Sequence, residues 1–383
     1  MSEAAATAAA PGIWTREFVF VLGVIAAMFL NVALILPVAP LVVQRGSGSS
    51  GAAGLAGALF FATTVAVQLS TPRLLRRYDG RALIAVGMLL LGGPALFVAL
   101  VEGWVGVMAT MVVRGAGFGI VTVVAFALVA DVAPAGRRAE ALGLSGLAVG
   151  IPNVFAPSAG LWLLASAGRP AAFALAGAVA IAGAVAPFGL SPRSLHSEEG
   201  TLGAAVRERR LLLPFCALTV VLVPLGAILT IAPAALPEHG LGSAAVLLLS
   251  SGTLGFVARW LSGPLVDRVG PRTVVVPGFL LAVTGLGILA ADRRAEALIP
   301  AGALFGAGLG ALQTGLQAAI FERAGPNGHA RASVVWNIGF DAGVGLGAVT
   351  LGVAASAWSF GVMFWTLPFV ALAALGFALA DRN

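Results

Sequence analysis

A chain of 383 residues that is 59% hydrophobic and only 10% charged cannot clothe a soluble domain of its size in polar surface. A mean hydropathy of +1.01 points instead to a protein that crosses a bilayer many times. The net charge of +6 comes from 22 basic residues, all arginine, and their placement follows membrane topology rather than a nucleic-acid surface, so no nucleic-acid partner is expected.

The first 17 residues are small and weakly charged, with no basic stretch or cleavage-like site, so no signal peptide is expected. Apolar segments then fall at about 18–43, 52–70, 82–101, 104–130, 141–164 and 170–190. After a polar interruption from Ser191 to Arg210 they resume at about 211–236, 243–262, 273–291, 296–321, 332–355 and 358–380. Each is long enough for about 30 Å of hydrocarbon. None alternates with period 2, which argues against a membrane barrel. The expected fold is an all-α membrane protein with twelve transmembrane helices in two pseudo-symmetric six-helix bundles. The bundles are 18–190 and 211–380, with tails 1–17 and 381–383 and a linker 191–210.

The two halves repeat at an offset of 191 residues. Pro72–Arg81 falls on Gly263–Arg272, Gly115-Ala-Gly-Phe-Gly119 on Gly306-Ala-Gly-Leu-Gly310, and Asp131 on Glu322. Two similar membrane halves suit a transporter, because they can rock about a shared central site. With the N-terminus cytoplasmic, 17 arginines fall on the inner side, Arg259 counted among them, and Arg45, Arg169, Arg293 and Arg294 on the outer side. On that count Arg114 alone lies within a span. The expected location is the inner (cytoplasmic) membrane, with both termini in the cytoplasm.

The loop Gly263-x-x-x-Asp267-Arg268-x-Gly270-x-Arg272 joins segments eight and nine. Its glycines allow a tight turn, and its charged groups can bond neighbouring helix ends. This loop resembles the signature of the major facilitator superfamily. The resemblance implies a charge latch with an acid at the end of the fourth or tenth helix, the positions of Asp131 and Glu322. The first-half copy departs from the pattern and keeps only Arg77 and Arg81, either of which Asp131 could meet. Asn31-x5-Pro37-Val38-x-Pro40 in segment one, and Gly143-x8-Pro152-x3-Ala156-Pro157-x2-Gly160 in segment five, resemble motifs of the twelve-helix drug:proton antiporter branch. The second pattern departs from its motif at Pro152, Ala156 and Leu161. The resemblance implies exchange, with Pro37, Pro40, Gly143, Pro157 and Gly160 serving the conformational change.

Arg114 in segment four is too costly to face lipid and is expected to face the cavity or a partner, as part of the proton-coupling apparatus. Asp341 is the only carboxylate well inside a span, and protonation relieves the cost of holding it out of water. It is the expected proton carrier. Asn337 lies one turn before Asp341, and Gln313 and Gln317 lie one turn apart on segment ten. With Asn31, Thr122, Phe126, Trp336 and Phe340 they are expected to line a largely apolar cavity with a few polar anchors. So few cavity charges disfavour strongly anionic substrates, although Arg114 could attract a carboxylate. The partners expected are a small-molecule substrate, protons and the lipid bilayer, and the protein is expected to work as a monomer.

Other matches fail. Gly46-x-Gly48-x-x-Gly51 lacks a preceding strand, and there is no Walker phosphate loop. His196, His239 and His329 lack ligand spacing, and Cys216 stands alone. No cofactor, metal or enzymatic activity is expected. The favoured reading is proton-coupled efflux of a hydrophobic or amphipathic compound. A facilitator or importer of a sugar or other small metabolite is the rival, and a receptor or intramembrane enzyme is a reading of another class.

Overall fold

The computed structural model describes residues 13–133, 137–191, 209–236, 240–325 and 328–380. The chain ends 381–383, most of the N-terminal tail and most of the expected linker lie outside these residues. Among them the protein is helical throughout. The first half comprises α1 (Arg16–Ile35), α2 (Val38–Ser47), α3 (Ser50–Leu75), α4 (Gly80–Leu100), α5 (Trp104–Val132) and α6 (Arg138–Val185). The second comprises α7 (Arg209–Thr230), α8 (Ala232–Ala235), α9 (Gly240–Val269), α10 (Pro271–Ala291), α11 (Ala295–Ala324), α12 (His329–Ala357) and α13 (Phe360–Ala380).

Local chemistry sets the boundaries. The side chains of Thr15, Ser49 and Asp79 accept from backbone N–H groups of the first turns of α1, α3 and α4. Pro37 marks a short irregularity in the first span: α1 stops at Ile35 and α2 restarts at Val38, with Leu36 and Pro37 still helical in backbone. At 48 residues, α6 would run about 72 Å if straight, more than twice the bilayer core. Gly168 resolves this, with φ 80° and ψ 178°, a backbone state open essentially to glycine. Pro170 follows it, so α6 is the fifth and sixth spans joined at a sharp break. Eleven helical stretches are long and apolar enough to cross a membrane, and that break divides the fifth into two, giving twelve.

The repeat at 191 residues is written into the packing. A methyl group placed on Gly115 would strike the carbonyl oxygen of Phe60; one on Gly306 would strike that of Ser251, and both neighbours also differ by 191. Gly119 and Gly310 meet the carbonyls of Thr64 and Gly255, and Gly87 and Gly278 those of Gly117 and Gly308, at the same offset. Small residues thus let α3, α4 and α5 approach as closely as α9, α10 and α11. Large apolar side chains such as Trp162, Trp260 and Phe369 are exposed around the outside, where lipid replaces a polar surface.

The halves meet along two helix pairs, α3 with α12 and α6 with α9. Along the first pair the contacts run from Gly51–Ser356 through Gly54–Ala348 and Phe61–Gly345 to Gln68–Asp341. Along the second they run from Ser158–Ala245 through Val154–Gly252 to Gly150–Phe256. Both series start at the end that carries Gly48, Gly103 and Gly168 and stop short of the end that carries Tyr78 and Gly270. Among the described residues, contacts between the bundles therefore thin out toward the latter, here called the loop end.

Candidate functional site

Three charged side chains sit deep within the helices, and each has a different environment. Arg114 is only 2% exposed. Its Nε donates to the Leu91 carbonyl at 3.3 Å and its Nη2 to Asn31 Oδ1 at 3.0 Å, while the guanidinium lies 5.9 Å from the centre of the Phe60 ring. Asn31 Nδ2 in turn donates to the Ala176 carbonyl at 2.6 Å. The pair ties α1, α4, α5 and α6 together inside the first bundle. Arg114 faces partners rather than open space, and Asn31, expected to line the cavity, is fully buried with both ends of its amide engaged.

Asp341 is 6% exposed, on the face of α12 that meets α3. Its carboxylate accepts from Gln68 Nε2 at 2.8 Å, a bond between the two bundles. Gln68 Oε1 is also buried and has no hydrogen-bond partner among the described residues. The glycines that follow Asp341 at one-turn spacing explain the position of α12. Gly343 and Gly347 lie against carbonyls of α7, and Gly345 lies against Phe61 of the other half.

Arg259 corrects the arginine count. Counted on the inner side from the sequence, it lies within α9, ten residues or about 15 Å before Val269, because the helix runs on past the apolar segment. Seven residues on from Gly252, its Cα sits about 20° around the helix from that interbundle contact, on the face of α9 turned toward α6. It is exposed there. Its Nη1 donates to Gln313 Oε1 at 2.7 Å and its Nη2 to Gln317 Oε1 at 3.3 Å, and the guanidinium stands 5.8 Å over the Trp336 ring. Among the described residues no carboxylate pairs with it. By the 191-residue offset Arg259 is the counterpart of Gln68, so the two groups missed from sequence occupy equivalent places on equivalent helices.

The other expected residues fall into separate groups. Gln313, Gln317 and Trp336 gather around Arg259, and the Phe340 ring lies 6.4 Å from that of Trp336. Asn337 is half-buried and bonds back to the Ser333 carbonyl at 2.8 Å. Thr122 is buried, donating to the Phe118 carbonyl at 2.7 Å, and Phe126 is half-buried one turn on. At the loop end Asp267, Arg268, Arg272, Glu322, Arg77 and Asp131 are exposed, and Gly263 has open space around it. Gly270 has φ 82° directly before Pro271 at the start of α10, so the turn needs glycine. Arg81 bonds Asp79 at 3.0 Å and the Leu190 carbonyl at 3.0 Å. Pro37, Pro40, Pro157 and Gly160 are buried, with Gly160 against the Leu34 carbonyl, whereas Gly143 is exposed, with open space where a Cβ would stand.

An interbundle cleft with polar groups at mid-depth, open at one end, is the architecture of alternating-access carriers. No curated protein matches the chain by sequence. Among solved structures, the nucleoside transporter NupG superposes with a TM-score of 0.73 at 11% identity, covering 95% of this chain and 100% of that one. A bacterial homolog of the human lysosomal transporter Spinster superposes in its inward-facing, unoccupied conformation with a TM-score of 0.74 at 19% identity, covering 97% and 96%. Its inward-facing, occupied conformation gives 0.69 at 17% identity, covering 95% and 94%. At such identities these likenesses speak for the fold alone. The family model of the Major Facilitator Superfamily matches residues 21–290 and 215–382, nearly the whole chain. The chain belongs to the major facilitator superfamily and is a transporter rather than an enzyme.

Proposed function

We propose that this protein is a proton-coupled antiporter that exports hydrophobic or amphipathic small molecules across the cytoplasmic membrane. It works as a monomer, with both termini in the cytoplasm and the bundles 18–190 and 211–380 as the moving bodies. The observation that carries this reading is the hydrogen bond from Gln68 to Asp341 between the two bundles. An exchanger must forbid return of the empty, unprotonated carrier. A bond to an ionised carboxylate is roughly twice as strong as one between neutral groups. Ionised and empty, Asp341 holds Gln68 and keeps the loop end open. Proton binding removes that charge and weakens the tie between the bundles. Substrate binding does the same by competing for the cleft. Gln68 suits both states: its Nε2 donates to the carboxylate, and a half-turn of the amide presents Oε1 to the carboxylic acid. The turn at Gly263–Arg272, with Glu322 and Asp131 at neighbouring helix ends, then latches the loop end when it closes.

The test uses purified protein in proteoliposomes with a compound identified by a resistance screen. The expected result is that Asp341→Asn loses transport driven by a proton gradient yet keeps substrate counterflow. Gradient-driven transport at the wild-type rate in Asp341→Asn removes Asp341 from the role. The second reading is a carrier for a small polar metabolite such as a nucleoside, favoured by the amides Gln313 and Gln317 on one face of the cleft. Uptake that runs down the substrate's own gradient to equilibrium and survives an uncoupler would support it.

A further inference from the structure

The cleft holds a charge that the proposed cycle does not use. Arg259 lies on the interbundle face of α9, exposed, and its hydrogen bonds go to two neutral amide oxygens. A guanidinium inside a membrane bundle is costly to retain without a counter-charge. Both amide bonds hold the fork flat without neutralising it. Trp336 supports one face at 5.8 Å, and Phe340 extends the aromatic wall by one turn. Arg114 cannot share this task, because it is sequestered in the first bundle. Asp341 points away, toward α3.

We propose that Arg259, oriented by Gln313 and Gln317 and backed by Trp336 and Phe340, is the anchor for the carboxylate of an aromatic or amphipathic monoanion carried by this protein. A planar guanidinium matches a carboxylate in two parallel bonds. One accessible positive charge suits a single negative charge; a phosphate dianion would need a second. The apolar body of the ligand lies along Trp336 and Phe340, where ring stacking adds to burial. This assignment rests on the transport reading above but concerns binding only.

The experiment is equilibrium binding to the full chain in lipid nanodiscs, with no gradient. The probes are 2-naphthoate, 2-naphthamide and 2-naphthylmethylammonium, which share a ring system and differ in headgroup. The expected ranking in the wild type is carboxylate first, with the amide at least tenfold weaker and the ammonium weakest. Arg259→Gln is expected to lose the tenfold advantage of the carboxylate over the amide, and Arg259→Lys to keep a reduced preference for the anion. No carboxylate preference in the wild type, or wild-type carboxylate affinity in Arg259→Gln, overturns the assignment. If Arg259→Gln does not fold, the wild-type ranking decides alone. Loss of anion binding in Arg259→Gln with proton coupling absent would sink the antiport reading and leave this one standing. The converse outcome does the reverse.

Discussion

Arg114 and Asp341 differ at the residue scale although both are charges deep in the bundle. Arg114 is held by three groups of its own half, so its removal should disturb folding. Asp341 is held by one group of the other half, so its removal should disturb coupling. Asn31→Leu leaves the Arg114 charge buried without its amide acceptor, a loss worth about 3 kcal/mol. The expected outcome is a melting temperature in detergent several degrees below wild type, while Phe126→Leu changes it little. Gln68→Leu should leave the melt close to wild type but lower gradient-driven transport at least tenfold, as Asp341→Asn does. A Gln68→Leu protein that couples normally would show that the bond between the halves is incidental. Asp341 was legible in the sequence because a lone carboxylate in an apolar run stands out. Gln68 was not, since a neutral amide near a segment end looks like ordinary packing; only its equivalence to Arg259 at the 191-residue offset marks it.

At the scale of the helix, glycine positions decide how close the elements come. Gly115 and Gly306 sit in equivalent crossings, each against a carbonyl of the neighbouring helix. Gly115→Val and Gly306→Val should each destabilise by about 1–3 kcal/mol, with similar losses because the crossings are copies. Thermal melting of the two variants checks this, and a large loss in one with none in the other would mean that the repeat in packing has no energetic counterpart. Spans were readable from hydrophobic runs because lipid demands about 20 apolar residues. Helix ends were not, because a helix can continue past its apolar stretch into the headgroup region. That is why Arg259, three residues inside the apolar segment 243–262, was counted as a surface charge; α9 continues to Val269. Glycine and proline mark interruption in a sequence but not its angle: the backbone leaves the helical region at Gly168 and keeps it at Leu36 and Pro37.

At the scale of the whole molecule, contacts between the described residues of the two halves gather at one end and thin out toward the other. Gly51 N–H donates to Ser356 Oγ at 2.6 Å, and a Cβ built on Gly51 would stand 3.8 Å from that of Ser356, a disulfide spacing. Gly51→Cys with Ser356→Cys, in a Cys216→Ser background, should block transport when oxidised and regain it on reduction. Transport that survives complete cross-linking would mean that this end never opens. The repeat made the two-bundle design readable from sequence; which end is closed was not, because it is a choice between states of nearly equal energy. The most direct test of the central claim, that an ionised Asp341 locks the loop end open, is a spin-label distance between Tyr78→Cys and Val269→Cys in the Cys216→Ser background. These exposed positions lie at that end on opposite bundles. Without substrate, one long distance is expected at alkaline pH, a second shorter distance on acidification, and both at every pH in Asp341→Asn. A distribution that ignores pH in the wild type, or an Asp341→Asn protein that responds as the wild type does, would contradict it.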